Sequence, residues 1–141
     1  MTNIRTDTAG PDAIDTVRRS IFATALFFGG TFSAQAGFED GKVSYARGDY
    51  GAAFREWLRV AATGDARAQQ VVGLMYSIGE GVRRDDVQAY MWIALAEVNY
   101  SSPTNRKRAA RFRQRIAERL SPERLQRARQ MAQAWLANHT Q

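Results

Sequence analysis

Residues 75–86 read MYSIGEGVRRDD. An apolar run stops at two glycines, Gly79 and Gly81. A lone valine, Val82, follows, and then two arginines and two aspartates. A helix that must reverse direction ends most cheaply on a residue with positive φ, and glycine reaches that region without strain. A second glycine lets a neighbouring backbone come close. A single valine in such a turn can fold back and plug the gap between the helices it joins. Asp85 or Asp86 can cap the helix that follows, and Asp85 has capping-box spacing to Gln88. The stretch predicts a tight turn between two antiparallel helices.

Apolar spacing on both sides is helical, and β-branched alternation is missing. A short first helix is predicted from about Phe38 to Arg47, broken by Gly48-Asp49. The second carries Ala53, Trp57, Val60 and Ala61 on one stripe, with Asp49 as its cap and Gly64 at its end. Asp65 can cap the third, which holds Ala68, Val71, Val72, Met75 and Tyr76. The fourth has the stripe Ala89, Trp92, Ile93 and Ala96. Ser102-Pro103 and Ser121-Pro122 each pair an N-cap with proline at the first helical position. They open a fifth helix to about Arg119 and a sixth to about Asn138, with stripes Ala109, Phe112, Ile116 and Leu125, Ala128, Ala132, Trp135. The expectation is six helices in three hairpins. Ala53 and Ala89 occupy matching places 36 residues apart, as do Trp57 and Ile93. A period in the mid-thirties marks a helix-turn-helix solenoid.

From Gly64 to Trp92 the chain reads GDARAQQVVGLMYSIGEGVRRDDVQAYMW without a gap. This resembles the Sel-one-like repeats, a branch of the tetratricopeptide-type α/α solenoids. Their pattern is a G-D-A-x-A-Q opening, a small-x-x-Tyr stretch, G-x-G-V, an aspartate and A-x-x-W. GDYGAAFREWLRVAATGDA before it resembles the second half of a preceding repeat. Tyr100 stands where the family would repeat glycine, and no second G-x-G-V follows. The C-terminal pair resembles the basic tail helices of some bacterial members. The resemblance implies an all-α fold: a short α/α solenoid of helix hairpins, with a basic C-terminal helical pair as cap. It also implies an adaptor that binds other proteins, and several bacterial members are exported and associate with cell-envelope processes. Cysteine-rich relatives linked to β-lactams depend on disulfides, and this chain has no cysteine.

Export is expected from the sequence itself. Arg18-Arg19 form a positive n-region, Ile21 to Phe32 an apolar h-region, and Ala34-Gln35-Ala36 a small-x-small cleavage site. The uncharged stretch holds Gly29, Gly30, Thr31, Ser33 and Gln35, which makes it poor as a membrane span. Residues 1–16 are polar and fit no signal, so translation from Val17 is one hypothesis. The predicted organisation is a 1–16 extension, a 17–36 signal, a 37–102 repeat region and a 103–141 basic helical pair. No membrane span is expected after cleavage, and the predicted location is the periplasm.

Charge divides unevenly over 141 residues whose net charge is +6. Residues 37–102 hold seven Lys/Arg and nine Asp/Glu, while 103–141 hold ten Lys/Arg and two Asp/Glu. That asymmetry predicts an anionic partner or surface. Arg108, Arg111, Arg115 and Arg119 follow helical steps and align on one side of the fifth helix, with Phe112 and Ile116 turned toward the domain. A solenoid's concave face is lined by the first helix of each hairpin. Tyr45, Gln69, Gln70 and Met75 are therefore the other candidate contact residues, with Tyr76 read as packing.

Little in the chain is suited to chemistry. His139 is the only histidine and sits at the tail. Glu39-Asp40 and Asp85-Asp86 are adjacent pairs that point different ways on a helix. Glu118 and Glu123 read as partners for nearby arginines. GEGVRR lacks the Lys-Ser/Thr of a phosphate loop. No catalytic, cofactor or metal residues are assigned. The leading expectation is a non-catalytic envelope interaction module with a protein partner. An envelope enzyme or inhibitor acting on cell-wall or β-lactam-type substrates is the alternative. A basic binder of anionic polymers or nucleic acid is the further alternative if the chain is not exported; with export, no nucleic acid is expected.

Overall fold

The computed structural model describes residues 34–139. The predicted N-terminal extension and the body of the export signal lie outside the described residues. All regular structure in this part is helical: α1 (34–46), α2 (Tyr50–Ala61), α3 (Ala66–Ile78), α4 (Asp86–Asn99), α5 (Pro103–Ala117) and α6 (Pro122–His139).

The predicted N-caps all form, but α2 is capped at its end by Ala62 and not by Gly64. Asp49 accepts the amide of Ala52, Asp65 those of Arg67 and Ala68, and Asp85 those of Val87 and Gln88. The hydroxyls of Ser102 and Ser121 accept the amides of Asn105 and Arg124. Each bond satisfies a donor that the first helical turn leaves open. α4 ends without a glycine: Tyr100 is its cap in extended conformation, at φ −70°. α5 is shorter than its pattern promised and stops at Ala117, with Glu118 as its C-cap.

The α3–α4 turn works as its residues require. Gly79 caps α3 in left-handed conformation at φ 76°, and its amide bonds back to Met75. Gly81 is also left-handed, at φ 69°. The backbone it admits is the start of α2: a Cβ at Gly81 would lie 2.2 Å from the Tyr50 carbonyl oxygen. Val82 is half-buried against the core, and the Tyr45 hydroxyl donates to the Glu80 carboxylate at 2.8 Å.

α4 organises the packing. α3, α5 and α6 all lie against it, and α2 packs on α3. Val87, Ala89, Tyr90, Met91, Trp92, Ile93, Leu95 and Ala96 are buried. A helix apolar on nearly every side belongs inside a core. α5 and α6 both pack on α4 and share one core cluster with it. One core cluster joins α2, α3 and α4 around Trp57, Phe54, Met75 and Trp92; the other joins α4 to α5 and α6 around Tyr90, Ile93, Ile116 and Ala128. Small residues set the closest approach, since a Cβ at Gly73 of α3 would meet Ile93 Cγ1 of α4 at 2.6 Å. On α1, Phe38 offers its carbonyl to Trp57 Nε1 at 3.0 Å.

Candidate interaction site

α3 and α5, the first helices of the second and third helix pairs, stand apart because both rest on α4. Between them is a cleft of about 260 Å³ lined by Gln70 and Leu74 from α3 and by Arg108, Arg111, Phe112 and Arg115 from α5. Gln70 and Leu74 are one turn apart, as are Arg108, Phe112 and, next to it, Arg111 with Arg115, so each helix turns a single face to the cleft. The floor is apolar and the walls are polar or cationic.

The charge here is not neutralised from within. Among the described residues, Arg108, Arg111 and Arg115 form no ion pair and no side-chain hydrogen bond. Arg113, on the same helix, is committed: its Nε donates to Glu97 at 2.7 Å and its Nη1 to the Tyr90 hydroxyl at 2.9 Å. That neighbourhood holds Arg113 above its ordinary range, the Glu97 bond being the main cause. α5 has no acidic residue in its first turn. Arg106 therefore sits at the positive end of its dipole, and Arg111 and Arg115 repel at a spacing of four. Each such arrangement costs a helix about 0.2–1 kcal/mol. The helix is held by Ala109 and Ile116, both fully buried.

The structure brings Gln70, Arg108, Arg111 and Arg115 together and separates the other four predicted contact residues from them. Gln69 is a correction: it is fully buried. Its Nε2 donates to the Ala61 carbonyl at 3.2 Å and its Oε1 accepts from Asn99 at 2.9 Å. It ties the ends of α2 and α4 together and faces no groove. Met75 is likewise corrected, lying in the first core cluster at 2% exposure. Arg119 lies beyond the end of α5 and leaves the arginine row. Its guanidinium donates to Asp86 and to the buried Ser77 hydroxyl, both at 2.7 Å, which anchors the α5–α6 turn to the α3–α4 pair. Tyr45 is partly exposed, but on α1, where it packs against Tyr50 and Trp57 and bonds to Glu80. Glu118 and Glu123 form no ion pair among the described residues. Glu123 instead sits at the start of α6, where its own amide and the Ser121 hydroxyl hold its carboxyl below the usual range.

Leu74 and the cleft-facing role of Phe112 escaped the sequence reading. Leu74 is half-buried yet packs into neither core cluster. Its signal was its place one turn after Gln70, off the Val72 and Met75 stripe. No group of three metal-ligating side chains occurs among the described residues. None of the described helices is long and apolar enough to cross a membrane.

No protein-family model and no curated protein matches the chain. Among solved structures, the fold is similar to the crystal structure of a protective antigen present in uropathogenic Escherichia coli strains, which displays an SLR (Sel-one-like repeat) fold. The TM-score is 0.65 at 26% identity, over 75% of this chain and 23% of that one. The chain thus spans under a quarter of that protein's length. Gly64 to Trp92 folds as the repeat motif requires, from the Asp65 cap to the two left-handed glycines and the buried Trp92. The chain has the Sel-one-like repeat fold, an all-α solenoid of stacked helix pairs.

Proposed function

We propose that this protein is a non-catalytic, exported interaction module of the cell envelope, holding a protein partner in the cleft between α3 and α5. The observation that carries the reading is the trio of unpaired guanidiniums, Arg108, Arg111 and Arg115, around the apolar floor of Leu74 and Phe112. Helical repeats present such extended faces to other proteins, and arginine beside an aromatic is a favoured interface composition. Export rests on the order of Arg18-Arg19, the apolar run and Ala34-Gln35-Ala36 in the sequence.

The test has two parts. Mass spectrometry of the protein from fractionated cells should find it in the envelope fraction with Gly37 as its N-terminus. Crosslinking followed by affinity capture from that fraction should then recover a protein partner. Cytosolic protein that keeps residues 17–36 would refute export, and turnover of cell-wall fragments or β-lactams would refute a purely binding role.

A further inference from the structure

The geometry points to an acidic peptide segment with a large apolar side chain as the partner of the cleft. The apolar group rests on Leu74 and Phe112, and flanking carboxylates meet Arg108, Arg111 and Arg115. This rests on the interaction-module reading. Leu74 is half-buried without belonging to either core cluster, whereas its α3 neighbours Val71 and Met75 both pack into the core. Leu74 and Phe112 together give the cleft its apolar surface, between the arginines. The volume, about 260 Å³, falls short of the roughly 300–1,000 Å³ of small-molecule sites. It suits one large side chain of a longer segment.

The cationic walls select the flanking groups. Guanidinium forks match carboxylate geometry in two-point bonds. The six ion pairs among the described residues use Arg59, Arg67, Arg84, Arg113, Arg119 and Lys42, and leave these three arginines available. The Gln70 side chain makes no hydrogen bond among the described residues. Its amide can donate to a peptide carbonyl and accept from a peptide N–H. A polyphosphate chain or an anionic membrane would meet the arginines but bring no side chain down to the recessed floor. Such binding would be electrostatic alone and collapse with salt.

Fluorescence anisotropy of the full chain with the labelled peptide EDELFEDE separates these cases. Comparators are the equally charged EDESSEDE, a single-stranded DNA oligonucleotide and phosphatidylglycerol vesicles. EDELFEDE should bind saturably and at least tenfold more tightly than EDESSEDE. Leu74→Ser should bring the two peptides to within threefold of each other. Arg111→Glu with Arg115→Glu should abolish binding of both, while circular dichroism shows the helices intact. The inference is overturned if EDELFEDE does not saturate, if EDESSEDE, DNA or vesicles bind as tightly, or if either variant binds like the parent. A partner crosslinked equally by the parent and by the doubly reversed variant would sink this inference and leave the interaction module standing.

Discussion

Gly81→Ala is a sharp test of why the α3–α4 turn has its sequence. Four glycines in the described region have positive φ: Gly48 at 80°, Gly64 at 95°, Gly79 at 76° and Gly81 at 69°. Placing alanine at such an angle costs about 1–2 kcal/mol by itself. At Gly48 and Gly64 a Cβ would enter open space, with nothing within 4 Å, so those variants report the backbone cost alone. At Gly81 the Cβ would stand 2.2 Å from the Tyr50 carbonyl oxygen and 2.6 Å from its carbon. Ordinary contact begins near 3.4 Å, so the overlap exceeds 1 Å. Both partners are backbone and no rotamer relieves it. The turn must withdraw from α2, which loosens Val82 and breaks the Tyr45–Glu80 bond. Overpacking of this kind adds about 1–3 kcal/mol. Gly81→Ala should therefore lie about 1–3 kcal/mol below Gly48→Ala, on the order of 10 °C in Tm for a domain of this size. Gly79→Ala, whose Cβ would touch Arg84 Cβ at 3.1 Å, should fall between them. Thermal and urea unfolding followed by circular dichroism at 222 nm provide the measurement. Equal destabilisation at Gly48, Gly64 and Gly81 would show that the glycine serves only its own dihedral angles, and the close-approach reasoning would be wrong.

Other consequences can be checked on the same instrument. Burial acts to raise the Asp65 carboxyl, but the Arg67 side chain and the Ala68 and Arg67 amides outweigh it and hold the group below its ordinary value. Its stabilising contribution is present above the unfolded value near 3.9 and is lost as pH falls through the lower folded value. Asp65→Ala should cost about 1 kcal/mol at neutral pH and flatten the acid limb of the stability profile; an unchanged acid limb would contradict the assignment. Arg119→Ala should lower stability by about 0.5–1.5 kcal/mol, since a half-exposed guanidinium loses two bonds, and should leave peptide binding alone. Arg111→Glu should leave stability within about 0.5 kcal/mol, because it replaces a repulsion with Arg115 by an attraction; unfolding would show that the arginine row is structural. Trp92→Ala should cost about 3–5 kcal/mol, given the ring's burial against Trp135, and a fully retained Tm would refute its place in the core.

The sequence by itself determined the helices and their N-caps, because those depend on residues within a few positions of one another. Asp49, Asp65, Asp85, Ser102 and Ser121 cap locally wherever the helix goes, and Gly79 ends α3 for reasons internal to α3. The tertiary structure decided which side chains are free to meet a partner. Gln69 and Gln70 are adjacent and chemically identical, yet 100° of helical rotation buries the first between α2 and α4 and turns the second to the cleft. Arg115 and Arg119 continue one row on paper, but α5 stops at Ala117 and Arg119 swings to Asp86 of α4. The cleft itself exists because α3 and α5 both lie against α4 and not against each other. Packing on a shared neighbour is a property of three helices at once, which no spacing within any one of them encodes.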